Sequence, residues 1–250
     1  MDWSTIYILW KRQLVKYFRS RSRIVGSLGQ PILFLIAFGF GFGGVYQRAG
    51  DGNYLQFLAP GIILMSVLFT AVFSGIDLIW DRQFGFLKET MVAPVSRLSI
   101  MLGKTLGGAT VALLQGLIVF VLTTIFGFRF VSVPLLFVAL LCMLLVAILF
   151  TSLGVAIAST LEDMQGFQLI MNFLVMPTMF LSGAFFPLQG LPRLMEYVVK
   201  IDPLTYGVDA VRGALIGVAS FPLGFDVAIL AILSLMLLVI GSYLFEKIQV

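Results

Sequence analysis

Histidine is missing from this chain altogether, and cysteine occurs once. The first absence removes the commonest metal ligand and the commonest general base at neutral pH. The second excludes an intrachain disulfide, and Cys142, set among apolar residues, reads as a small hydrophobe. Charge is also scarce. Asp, Glu, Lys and Arg make up 11% of the 250 residues, against about 25% in soluble domains.

The scarcity is uneven. Residues 24–47, 52–76, 105–128, 130–161, 164–192 and 227–245 carry no charged side chain at all. An α-helix rises about 1.5 Å per residue, so ~20 apolar residues cross a hydrocarbon core of ~30 Å. Six such runs in series exclude a soluble domain. They are continuously apolar rather than alternating, which favours helices over a β-barrel. The expected fold is therefore all-α and polytopic, a single transmembrane domain over 1–250. Its spans are expected at roughly 24–46, 55–77, 105–128, 133–159, 166–186 and 225–245. The first run is too long for a cleavable signal peptide.

The missing charge has a functional meaning. Carriers driven by ions or protons place Asp, Glu, Lys or His at membrane depth, and these runs hold none. Nor does a nucleotide loop appear. Gly103-Lys104-Thr105 ends like one, but the glycine required five residues earlier is replaced by Leu98. With no paired carboxylates or supported nucleophile in the spans, an intramembrane enzyme is disfavoured. No catalytic residue and no metal ligand is assigned.

The charges that are present lie between the runs. Eleven of the 16 Lys and Arg fall in the N-terminal segment, the loop after the second run and the C-terminus; five fall in the other loops. This asymmetry predicts both termini in the cytoplasm. The basic residues flank spans, so the net charge of +4 implies no nucleic-acid partner. Residues 2–20 read as an amphipathic interfacial helix. Trp3, Ile6, Tyr7, Trp10, Leu14, Tyr17 and Phe18 recur at helical spacing, with Lys11, Arg12, Lys16 and Arg19 largely off that stripe.

Small residues and prolines mark other positions. The run Gly39–Gly44 and the pair Gly103 and Gly107 suit close helix packing. Pro60 and Pro177 fall inside the second and fifth spans and are expected to kink them. The loop 78–104 is the largest expected cytoplasmic piece. Within it Phe84, Leu87 and Met91 share one face of a short helix, with Lys88 and Glu89 beside it and Pro94 at its end. Such a helix suits docking in the groove of a soluble partner. On the other side, the segment 186–220 is partly apolar and broken by Pro187, Pro192 and Pro203, as expected of a re-entrant or interfacial segment. Asp209 and Arg212, three apart, are expected to pair there.

Three blocks give this chain a family likeness. They are FLAPGIILMSVLFTAVFSG at 57–75, DRQFGFLKETMVAPVSR at 81–97, and LSGAFFPLQGLPRLMEYVVKIDPLTYGVDAVRG at 181–213. Together with six spans and an N-terminal amphipathic helix, they resemble the type-2 ABC (ATP-binding cassette) exporter permeases, closest to those of the daunorubicin-resistance and nodulation-factor export type. The resemblance implies a multi-pass permease in a prokaryotic plasma or inner membrane. It would pair with a second permease chain, identical or different, and with nucleotide-binding ATPase subunits. ATP and Mg would be bound by the ATPase and no cofactor by this chain. Residues 82–92 would form the coupling helix, with Arg82, Phe84, Phe86, Leu87, Lys88, Glu89 and Met91 facing the ATPase. Ser182, Gly183, Phe185, Phe186, Pro187, Pro203 and Arg212 would form an external gate. An amphipathic drug, lipid or lipid-linked glycan would pass between two permeases, along the first, second and fifth spans. The competing readings are an ion-coupled carrier and a non-transporting membrane scaffold.

Overall fold

The computed structural model describes residues 2–48, 53–188 and 192–248, with the backbone alone at 40, 42 and 44–48. Side chains within the Gly39–Gly44 run, and residues 189–191 of the 186–220 segment, thus lie outside the described residues. Among the described residues the fold is helical throughout: α1 (Trp3–Arg19), α2 (Arg21–Arg48), α3 (Tyr54–Phe73), α4 (Ile76–Gln83), α5 (Phe86–Val92), α6 (Arg97–Ile125), α7 (Val133–Thr160), α8 (Met164–Leu181), α9 (Arg193–Ile201), α10 (Pro203–Ile216) and α11 (Leu223–Glu246). Among the described residues, six segments are long and apolar enough to cross a membrane: α2, α3 with α4, α6, α7, α8 and α11. This is an integral membrane protein.

Three spans form the centre. α3 is apolar on every side, and Leu58, Ile62, Ile63, Val67 and Leu68 are fully buried between α2, α6 and α7. α11 packs along α7, and α10 fills the corner between α3, α7 and α11. α8 touches its neighbours sparsely and leaves Leu169 and Phe173 bare.

The close crossings occur where side chains are absent. Gly75, at the turn joining α3 to α4, lies against the Gly154 carbonyl of α7, and Gly154 lies against the Val72 carbonyl. A Cβ at either position would overlap backbone. Small residues let membrane helices approach this far, and dispersion contacts then hold them without any hydrophobic drive.

α1 follows the same logic. Its inner stripe, Ile6, Leu9, Gln13 and Tyr17, is buried. A Cβ on Gly103 of α6 would come 2.9 Å from Leu9, and one on Gly107 2.7 Å from Gln13. The Gly103 and Gly107 pair is thus the seat of α1. Trp10 Nε1 donates to Thr110 Oγ1 at 3.0 Å, and Tyr17 OH donates to Gln115 Oε1 at 2.8 Å. Trp3, Tyr7 and Phe18 stay exposed. The aromatic stripe read as one face is therefore split between protein and surroundings. A Cβ on Gly39 of α2 would meet Leu55 of α3 at 3.7 Å, and one on Gly43 would meet nothing within 4 Å among the described residues.

The helices extend beyond the charge-free runs. α6 begins at Arg97 rather than 105, and the second span reaches Gln83. Lys104 and Asp81 therefore lie inside helices and are buried. Asp226, in the first turn of α11, is fully buried. Spans free of charge describe the middle of this bundle but not its ends: Asp81 and Lys104 compensate each other there by pairing, whereas both carboxyl oxygens of Asp226 are buried with no hydrogen-bond partner among the described residues.

Replacing Gly154 by Val should lower the thermal unfolding midpoint in detergent by the equivalent of roughly 1–3 kcal/mol, since an overpacked contact cannot relax against backbone. Gly29→Ala in α2, where a Cβ meets nothing within 4 Å, should leave the midpoint unchanged or slightly higher.

Candidate functional site

The strongest polar constellation sits where α1, α4 and α6 converge. Asp81 in α4 is almost wholly buried. Its Oδ1 takes Arg12 Nη2 at 2.7 Å and its Oδ2 takes Arg12 Nη1 at 2.8 Å, a two-pronged pair. Lys104, buried in α6, donates to the same Oδ2. Lys16 stands 3.6 Å from Asp77 and 3.9 Å from Asp81. One carboxylate thus holds cations from two other helices. The hydrogen bond to Asp81 raises the pKa of the Arg12 guanidinium above its ordinary value. Lys104, which at first sight ends a phosphate loop, is spent on this pair inside a helix.

The cluster anchors the segment singled out in 81–97. That segment is two helices rather than one, because Gly85 adopts φ 80° and breaks the chain between α4 and α5. A left-handed residue here favours glycine. The break divides the seven expected coupling residues. Arg82 turns back and donates to Glu162 Oε1 at 3.0 Å, joining the loop between α7 and α8. Phe86 lies beneath the Arg12 guanidinium, 3.7 Å from ring centre to Cζ. Leu87 is fully buried and Met91 packs on the core. Phe84, at the end of α4, is 73% exposed and rests on Trp80. Lys88 and Glu89 point outward, with Val92, 87% exposed. The outward surface is therefore Phe84, Lys88, Glu89 and Val92. The expectation that Leu87 and Phe84 share an accessible face is corrected: Leu87 faces the core.

The opposite end of the bundle holds the second group of expected residues. After α8 the chain turns at Ser182, whose Oγ donates to the Met179 carbonyl at 2.9 Å, and at Gly183, with φ 74°. It then passes so close to α3 that Ala184 backbone fills the space beside Gly61. Gly61 lies seven residues into α3, roughly 10 Å along its axis. Arg212 of α10, buried, donates to the Gly183 carbonyl at 2.8 Å and stacks over Phe57 at 3.9 Å. Tyr54 OH donates to the Phe185 carbonyl at 2.9 Å. Phe185 is buried among Phe34, Phe38 and Phe180, while Phe186 and Pro187 are exposed. Pro203 opens α10, where Asp202 accepts from Leu204 N at 2.9 Å.

Asp209 and Arg212 are directed to different partners. Asp209 accepts from the backbone N–H of Ser220 and Phe221 at 2.8 Å, fixing the turn before α11. The spacing of three put both on one helix face; a run of unsatisfied backbone donors is what claims the carboxylate. Arg12 and Lys104 were not assigned to Asp81 from the sequence. Their signal is a charge at the edge of an apolar run, where a helix extends past the run.

The profile of the ABC-2 type transporter family matches residues 4–216. Nodulation protein J of Rhizobium leguminosarum bv. trifolii is 29% identical over 218 residues, covering 86% of this chain and 80% of its own. The inner membrane transport permease YadH of Escherichia coli is 28% identical over 232 residues, covering 88% and 86%. The putative transport permease ycf38 of Cyanophora paradoxa is 28% identical over 214 residues, covering 83% and 72%.

Asp81→Asn should cost about 3–5 kcal/mol, because it leaves the Lys104 ammonium buried without a counter-charge. Adding Lys104→Met to that variant should restore most of the lost thermal stability in detergent. An additive double variant would exclude the pairing as the cause.

Proposed function

The chain belongs to the ABC-2 type transporter family, and on that premise we propose that it is the membrane permease of an ATP-driven exporter. It moves an amphipathic substrate (a drug, a lipid or a lipid-linked glycan) out of the cytoplasm or the inner leaflet. ATP and Mg belong to partner ATPase subunits, and this chain works in a pair with a second permease, identical or different. One observation carries the reading: α5 is a short helix rooted in the bundle by Leu87 and by Arg12 over Phe86, while Lys88, Glu89 and Val92 project from it and Phe84 beside it. A rooted helix with an outward mixed surface is what a soluble motor needs to push on.

The remaining assignments rest on chemistry. The end bearing α1 is assigned to the cytoplasm because Lys and Arg concentrate there, and the membrane to a prokaryotic inner membrane. The exposed apolar side chains of α2 and α8, among them Leu33, Leu169 and Phe173, support a permease pair with the path between its halves. The segment 182–188, folded in beside α3, supports an external gate re-entering the outer leaflet, hinged at Gly183 and held by Arg212. Opening and closing would be rigid-body movements of the two halves about that path.

Co-expressed with an ATPase subunit, the chain should copurify with it and change its hydrolysis rate. Glu89→Arg and Phe84→Asp, both at exposed positions, should preserve expression and thermal stability yet abolish transport and at least tenfold of the ATPase response, roughly the loss of one charge-assisted contact. Unimpaired coupling in both variants would sink the docking role of α4–α5.

A further inference from the structure

A cavity of about 700 Å³ opens beside the Asp81 cluster, between α1, α2, α3, α4 and α6. Its lining is graded. Arg12, Lys16, Arg23, Asp77, Trp80 and Asp81 stand at the α1 end, Phe73 and Phe69 follow along α3, and Pro31, Met65 and Ser66 lie deepest by helix position. From Arg23 to Pro31 is ~12 Å along α2, and from Asp81 to Ser66 ~22 Å along the second span. The cavity therefore runs from a charged mouth into the bundle interior, where Phe69, Phe73 and Met65 line it beside Ser66, Thr70 and Gln30.

The charge at the mouth has a sign. Asp81 is answered by Arg12 and Lys104, and Asp77 by Lys16. Among the described residues, no carboxylate lies within salt-bridge distance of Arg23, so the lining keeps one cation in excess. Gln115, also in the lining and buried, accepts from Tyr17 through Oε1 but leaves Nε2 with no acceptor. An excess cation and an unused amide donor call for an anion, while the aromatic and aliphatic depth calls for a hydrocarbon chain.

We propose that this cavity binds an anionic amphiphile, its phosphate or carboxylate head held by Arg23 and its chain lying along Phe69, Phe73 and Met65. This deepens the export reading and rests on it for the direction of approach, from the inner leaflet. The same head chemistry has two sources, a bilayer phospholipid and the exported molecule itself. Arg12, also in the lining, grips Asp81 and covers Phe86, so a head at the mouth lies beside the pair that holds α1 and α5 in place.

The test uses the full chain in phosphatidylcholine nanodiscs, with Trp3 and Trp10 replaced by Phe so that Trp80 alone reports from the cavity wall. Bromododecyl phosphate should quench Trp80 at saturable, low concentration. Bromododecyl maltoside and bromododecyl trimethylammonium, with the same chain, should be at least tenfold weaker, the size of one charge-assisted hydrogen bond. Arg23→Gln should raise the half-saturating phosphate concentration about tenfold, and inorganic phosphate should compete poorly. Competition by added phosphatidylglycerol would support the site with bilayer lipid as its source; its absence would support it with the exported amphiphile. Equal quenching by all three heads, full competition by inorganic phosphate, or unchanged affinity in Arg23→Gln would overturn the proposal. The measurement needs neither ATP nor an ATPase. It can therefore fail while motor coupling stands, and stand while motor coupling fails.

Discussion

The carboxylate of Asp81 is the point on which this architecture turns. It is buried, and a lone buried charge costs several kcal/mol, so it is stable only because Arg12 and Lys104 come to it from two other helices. The consequence is geometric more than energetic. A hydrophobic substitute could match its stability but would not fix direction, whereas the two-pronged Arg12 contact sets the rotation of α1. α1 in turn is seated on Gly103 and Gly107, and Arg12 reaches Phe86 of α5. The amphipathic α1, the second span, the third span and α5 thus share one electrostatic origin.

The far end is organised by different means. There, backbone carbonyls at irregular turns are exposed to a bundle with little water, and each must find a donor. Arg212 satisfies Gly183, Tyr54 satisfies Phe185, and Asp209 takes up the N–H groups of Ser220 and Phe221. Polar side chains at this end serve the backbone, while the buried charges around Asp81 serve one another. That difference fits an end shaped by an irregular chain and an end shaped by helices meeting.

Much of the fold was legible from hydropathy alone, because a continuous apolar run of twenty residues has few alternatives to a spanning helix. The amphipathic α1 and the seat at Gly103 and Gly107 were also readable. What was not readable depends on where a helix stops. A charge-free run marks a minimum span, and α6 begins eight residues before its run, which is how Lys104 came to look like part of a loop. The break at Gly85 was equally hidden. Glycine permits a left-handed turn without requiring one, and helical periodicity runs on through it. The partners of Asp209 and Arg212 were set by neighbouring turns, which local spacing does not encode.

The short helix α5 is bound on its inner side by a fully buried leucine and capped by a guanidinium that belongs to α1, and it is joined to α4 through a single left-handed glycine. Because Arg12 both stacks on Phe86 and holds Asp81, which also takes Lys104, α5 cannot shift without disturbing α1 and, through the Asp81 pairs, the second and third spans.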